Sequence, residues 1–440
     1  MKRFKRFLVT SSLCTLAAVV AAEPPALPGG LGGSPLSTPQ VQVTTDSFWD
    51  EVSGFAELRG GIRLSYAPGY GDESLGEARV QLKTEREVGA ALIEASVDFL
   101  ADGTTSEHSF DWESGRGPVD MRALSLSFSP LRDVDVKLGR QVATWGVGDL
   151  VFINDLFAKD WNSFLLGRDL EYLKAPQDSV RLAYFNDIAD LEVIYSPRFE
   201  SDRFIDGDRL TFWDSMSGRI TAKAQPIEVA SPGDAFEANE LHLRASRLQG
   251  RYELAAYGYL GYWKSPAGFD QSLGLSTFPS LNVFGGSARG PLGRGIVSAE
   301  FGSYDSKSDP TGTEVMTRNS ELRLLLGYEQ EIGKELTASV QYYVERTRDV
   351  GAAGGLGDRD RELFTLRLRK QLWQQTLTLN GFAFHSPSQK DNYFRLSASW
   401  KASDAWQWDV GANLFGGDEP TFFGQFQNSS SAHLSLRRIF

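Results

Sequence analysis

Four histidines, His108, His242, His385 and His433, and one cysteine, Cys14, are the residues with which this chain of 440 could do bond-making chemistry. Metal-assisted hydrolysis on a helix would place two histidines in HExxH, and acyl transfer would place a serine in a GxSxG turn with a histidine to activate it. No histidine stands in either context. His385-Ser386 is the one adjacent base and hydroxyl. Neighbouring residues on a strand point to opposite faces, so that pair cannot share a proton if the segment is extended. A lone cysteine supports neither a disulfide nor a thiolate metal site. With no Gly-rich phosphate cradle either, the reading is no catalysis, no metal and no cofactor.

The charged residues are more informative. Arg79, Lys83, Glu94, Asp98, Arg181, Glu192, Arg244, Glu253, Glu300, Glu321, Arg323, Glu345, Arg367, Arg369, Arg395 and Asp409 all fall on the polar face of segments whose other face is apolar. Ala78, Val80, Leu82 and Thr84 oppose Arg79, Gln81, Lys83 and Glu85; Leu336, Ala338, Val340, Tyr342 and Val344 oppose Thr337, Ser339, Gln341, Tyr343 and Glu345. A period of two is that of a strand with one greasy and one wet face. So many charges cannot sit against an apolar interior, so the wet faces should line water. These sixteen are the candidate pore-lining residues: they either pair across strands and merely line water, or a subset forms a selectivity ladder, with Arg367 and Arg369 near Glu345 on the preceding strand as one candidate.

About eighteen alternating runs of roughly 9–13 residues, the length of a strand that crosses a membrane, follow from position 54 to the end. The connections alternate between short ones, such as Gln249-Gly250, and long ones, such as 142–178 and 197–239. That alternation, the even strand count, 12% aromatic residues and the absence of any long apolar run describe an all-β fold, a transmembrane antiparallel up-and-down barrel. A barrel of this size is too wide for wall side chains alone to fill.

The chain opens with Lys2, Arg3, Lys5 and Arg6, an apolar stretch and Ala21-Ala22, the layout of a secretory signal peptide over 1–22. A leader rich in Pro and Gly over 23–52 follows, with Phe48-Trp49 as a docking candidate, and the barrel spans 53–440. The net charge of −12 at pH 7, carried by 57 acidic against 45 basic residues, argues against nucleic acid as a partner.

Connection 142–178 is too long for a turn and too aromatic for disorder. Trp145, Phe152, Phe157, Trp161, Phe164 and Tyr172 should pack it onto the barrel mouth or wall, as an inward-folding or lid loop. Asp149, Asp155, Lys159, Asp160, Arg168, Asp169 and Lys174 would then narrow the interior. Connection 197–239, with Glu200, Asp202, Asp206, Asp208 and Asp214, matches no calcium loop and reads as a solvated outer loop.

The stretch Leu138-Gly139-Arg140-Gln141-Val142-Ala143-Thr144-Trp145-Gly146, the strand count and the terminal Phe440 resemble a set of outer-membrane barrels distantly similar to the eighteen-stranded alginate-export channels and substrate-specific porins. The resemblance implies passive passage of small or medium-sized solutes, selective or not, in the outer membrane of a Gram-negative cell. It also implies lipid and lipopolysaccharide as surroundings and Phe440 as the signal read by the barrel-assembly machinery. Arg438 departs from the apolar residue usual in that signal, so it should snorkel to the headgroups or sit in a bulge. The mixed acids and bases argue against a polyanion. The alternative reading is a structural barrel docking a periplasmic partner of an export or electron-transfer assembly; a barrel lipase or protease ranks below both.

Overall fold

The structure, a computed structural model, describes residues 52–67, 69–105, 115, 117–215, 217–223, 225–348 and 360–440. The signal-peptide and leader readings, Phe48-Trp49 and His108 lie outside the described residues.

Eighteen strands form one sheet: β1 Val52–Arg63, β2 Glu73–Val88, β3 Ala91–Asp102, β4 Val119–Leu131, β5 Val134–Gln141, β6 Gln177–Tyr184, β7 Asp190–Ser196, β8 Glu240–Gln249, β9 Tyr252–Tyr262, β10 Ser280–Leu292, β11 Gly295–Ser306, β12 Glu321–Gly333, β13 Leu336–Thr347, β14 Asp360–Leu372, β15 Leu377–Ser386, β16 Asp391–Lys401, β17 Trp406–Gly416 and β18 Ser431–Ile439. Each pairs antiparallel with its neighbours in sequence, and β1 pairs with β18 from Phe55↔Ile439 to Arg63↔Ser431, so the sheet closes without an edge. The architecture is the up-and-down barrel expected, with the expected number of strands.

Alternation decides which way each side chain points. Leu58 (64% exposed) and Leu324 face outward, whereas Glu57 (6%) and Arg59 (4%) on either side of Leu58 are buried inside. At the end carrying the short connections, the outer face gathers Tyr252, Trp373, Trp400, Trp406 and Phe440, an aromatic girdle of the kind that sits at a headgroup layer. Arg438 lies on this outward face with its guanidinium 5.7 Å from the Trp406 ring, in regular register, so the strand is not bulged there. Gly250 and Gly293 take left-handed φ (65° and 63°) in two-residue turns whose geometry requires it.

The interior is not simply solvent. A core cluster joins inner-wall residues such as Tyr304, Leu325, Tyr343 and Tyr393 to Leu150, Ile153, Phe164 and Leu173 of loop 142–176 and Leu210 of loop 197–239. Both loops have folded into the barrel.

Candidate functional site within the barrel

The motif at 138–146 launches the first loop. Gly139 (φ 113°) passes where a Cβ would stand 2.3 Å from the Leu124 carbonyl oxygen, so only glycine fits. Arg140 turns inward to Glu200 at 3.2 Å, and Gln141 donates to the Ser179 carbonyl at 3.2 Å. The Trp145 indole N–H donates to Glu192, and its ring packs edge-on to Phe157 at 5.0 Å.

From there the loop reaches the far wall. Glu300 of β11 accepts four hydrogen bonds from it: Val147 N at 2.9 Å and Gly148 N at 3.1 Å on one oxygen, Asn154 N at 2.8 Å and Asn154 Nδ2 at 2.9 Å on the other. Asp149 accepts from Arg367 of β14 at 3.0 Å and donates its backbone N–H to Gln341 of β13 at 3.1 Å. Desolvation raises the Asp149 carboxyl above the usual 3.8, outweighing the opposing pull of Arg367.

The return leg carries the short helix α1, Trp161–Leu166, capped by Asp160, which accepts from Ser163 N at 2.7 Å, and ended by Gly167 at φ 86°. Arg395 of β16 donates to the Phe164 and Arg168 carbonyls at 2.7 and 2.5 Å. Arg168 pairs with Glu77 of β2, and Asp169 with Arg59 at 3.1 Å and with Arg437, both of which also bind Glu57. Tyr172 donates to Asp98 at 2.7 Å, the partner of Arg79 at 2.5 Å. Asp155 accepts from Lys159 at 2.8 Å and from Thr144 at 2.6 Å. Burial brings the Lys174 ammonium down to about 8.

All sixteen sequence-derived candidates sit on the inner face. Lys83 pairs with Glu85, Glu94 with Lys137, Arg181 with Glu192, Arg244 with Glu253, and Arg323 with Glu321 and Glu345. Asp409 accepts from Gln407 at 3.0 Å. The expectation of a wall simply lining water needs correction: Arg79, Asp98, Glu300 and Glu321 are at most 4% exposed and are matched by the loops or by one another. The candidate Arg367–Arg369–Glu345 ladder does not form. Register puts Glu345 opposite Arg361, and Arg367 opposite Ser339.

The second correction concerns loop 197–239. It is not a solvated lobe: Glu200, Asp202 and Asp206 are 4–7% exposed. Arg203 clasps Asp120 at 2.8 Å and Asp160 at 3.3 Å, Arg209 pairs with Asp102, and Thr211 donates to the Gln425 carbonyl at 2.7 Å. The sequence reading missed Glu57, Arg59, Glu77, Asp120, Arg140, Arg203, Arg209, Glu240 and Arg437. Glu57, Arg59, Glu77, Glu240 and Arg437 lie on the inward parity of their strands, whereas Asp120 lies past a register shift in β4 and Arg140 pairs with the outward Leu124, so a strict period of two does not reach them; Phe199, Phe204 and Phe212 were a packing signal in loop 197–239. His385 faces outward while Ser386 is buried inside, so they form no catalytic pair.

Cavities beside the loops are lined by described residues. One of ≈ 360 Å³ is bordered by Asp102, Asp160, Arg168 and Arg209. Another, of ≈ 440 Å³, lies among Phe152, Trp161, Trp263, Phe384 and Phe422.

No family model matches the chain, and no curated protein matches it by sequence. Among solved structures, OccAB3 of Acinetobacter baumannii aligns at 11% identity over 89% of this chain and 99% of that one, with a TM-score of 0.53. A triple mutant of the Rhodopseudomonas blastica porin (11% identity, 88% of this chain and 99% of that one) gives 0.40. A loop-deletion form of OmpT, an outer membrane protein of Vibrio cholerae (12%, 88% and 98%), gives 0.41. The likeness to OccAB3, together with the closed eighteen-strand sheet, shows that this chain shares the closed antiparallel-barrel fold of that protein.

Proposed function

We propose that the protein is a solute-selective channel of a Gram-negative outer membrane, whose interior is reduced by loop 142–176 and covered by loop 197–239. The observation that carries the reading is the circuit of loop 142–176. Its contacts with Glu300, Arg367, Arg395, Arg437 and Glu77 tie it to strands all round the wall, which supports a reduced lumen where a bare barrel of this size would be open. Acids and bases from the loop and the wall then meet at the narrowing, and fixed charges at close range set which solutes pass. Export by the segment 1–22, the leader over 23–52, lipopolysaccharide around the barrel and recognition of Phe440 by the assembly machinery belong to the same proposal.

The test is single-channel conductance of the refolded barrel in a planar bilayer, wild type against a deletion of 150–170. A small, ion-selective conductance that rises severalfold with loss of selectivity on deletion supports a channel set by this loop. Absence of current in both forms overturns it and leaves a barrel that docks a partner.

A further inference from the structure

Three neighbouring strands are too short for the membrane that the rest of the barrel fits. β5, β6 and β7 have 8, 8 and 7 residues, whereas the others run from 9 to 16. A tilted strand needs about 9–11 residues to cross the hydrocarbon core. The ladder between β6 and β7 is shorter still, running only from Val180↔Tyr195 to Tyr184↔Leu191. Loop 142–176 leaves the end of β5 and returns into β6, and loop 197–239 leaves the end of β7, so the wall stops where the two loops turn inward. Past Val180 and Tyr195, side chains replace the backbone ladder: the Asp178 N–H donates to the Glu200 carboxylate at 2.7 Å, and Gln177 Nε2 donates to Ser196 Oγ at 2.9 Å.

The outward apolar band is low at the same place. β6 offers Val180, Leu182 and Tyr184, and β7 offers Leu191, Val193 and Tyr195. Three alternate residues cover about 13 Å of strand, or about 10 Å along the membrane normal at a tilt of about 40°. A barrel of this kind usually presents a band of about 25 Å. On β17 the outward apolar residues run from Trp406 to Leu414, twice that length of strand. Asp178, two residues past Val180 on the same outward parity, keeps a carboxylate that is 49% exposed. A bilayer against this sector would have to thin, or set acyl chains on that carboxylate, and both are costly.

We infer that β5–β7 is a protein interface covered by a second copy of this chain, the two related by a twofold axis along the membrane normal. The inference rests on the barrel lying in a membrane, as the proposed function has it, and does not depend on its passing solute. A copy is the occupant that the low band fits. The aromatic girdle holds both molecules in one orientation and at one depth, so each brings its low sector to the other's at equal height and both mismatches vanish together. A different protein would need an equally low band at that depth. The width of the sector sets the number of copies. Eighteen strands about 4.8 Å apart and tilted about 40° make a cylinder of about 18 Å radius, or about 23 Å with side chains. Two such cylinders in contact leave a gap under about 5 Å, too thin for an acyl chain, over about 55° of each circumference, which is about three strands. A ring of three copies would shield about 115°, or about six strands. The short strands are three in a row.

The experiment is oxidation of single-cysteine variants in isolated outer membranes of a Gram-negative host, with molecular iodine as the membrane-permeant oxidant. Leu182→Cys stands at the centre of the sector, 42% exposed on β6. Leu379→Cys is the control, outward on β15 across the barrel and as far from the short connections. Cys14→Ser in both removes the native thiol. Disulfide-linked dimer is expected from Leu182→Cys in severalfold excess over Leu379→Cys, and the wild type should sediment in mild detergent at the mass of two chains. Leu182→Arg should sediment as one chain while keeping its heat-modifiable migration, the sign that it folds. Equal linkage at the two positions, or a wild type of one chain, overturns the interface, and a mass of three chains overturns the twofold geometry. Linkage at Leu182 in a barrel that passes no current keeps the interface and sinks the channel reading. Ion-selective current from a protein that stays single does the reverse.

Discussion

Replacing Glu300 by glutamine keeps the size of the side chain and removes half of its accepting capacity. In the folded protein each carboxylate oxygen serves two donors, Val147 N and Gly148 N on one, Asn154 N and Nδ2 on the other. An amide turns its NH₂ toward one of these pairs and leaves two donors facing a donor. A hydrogen bond to an ionised acceptor is worth about 1.5–3 kcal/mol, so two of them set an upper range of about 3–6 kcal/mol. The neutral amide is cheaper to bury than the carboxylate, which brings the net loss toward about 3 kcal/mol. That is on the order of a hundredfold in the ratio of docked to undocked loop. Amide hydrogen exchange reads the ratio directly. In Glu300→Gln the amides of residues 147–154 should exchange on the order of a hundredfold faster, while those of β11 and β12 stay protected. Unchanged exchange across 147–154 would refute the claim that Glu300 holds the loop.

The Asp149 carboxyl is raised above 3.8, so between its folded value and 3.8 the docked loop binds a proton that the free loop does not. Acid therefore strengthens docking through this group while it removes the negative charge beside Arg367. Reversal potentials should shift toward anion selectivity as pH falls toward 3.8, and Asp149→Asn should show that shift already at neutral pH; equal acid responses in the two proteins would contradict the assignment. Gly167→Ala forces a left-handed φ of 86° on a residue with a side chain and sets a Cβ 2.4 Å from the His433 ring. It should loosen the loop's return leg by at least about 1–2 kcal/mol, seen as faster limited proteolysis within 160–175, and wild-type resistance would count against it. Deleting Phe440 removes both backbone bonds that it exchanges with Gly54, at 2.9 and 3.0 Å. The folded, heat-modifiable form should fall severalfold in cells and much less on refolding in detergent, whereas an equal loss in both would argue for a purely structural role.

Much of the barrel was legible because a strand has only two faces. Once Leu82 is assigned to lipid, Arg79 and Lys83 must point inward, and the same parity placed every one of the sixteen charged candidates on the inner wall. The failures have a common origin. Glu345 and Arg367 lie on adjacent strands, yet register sets Glu345 opposite Arg361, six residues or about 20 Å along the strand from Arg367. The acids of loop 197–239 read as solvated because their partners stand far away in sequence: Arg140 of β5 takes Glu200, and Trp161 and Ser265 take Asp202.

By itself, then, the amino-acid order determined the number of crossings, their direction and the chemistry of each face, since these follow from a two-residue period and from turn spacing. It also marked 142–178 as a loop with too many rings to remain in water. Only the tertiary structure decided that two loops enter the barrel and that Asp149 meets Arg367 across 218 residues of chain. Those outcomes depend on which distant donors and acceptors close on one another, and no local period encodes a partner on the opposite wall.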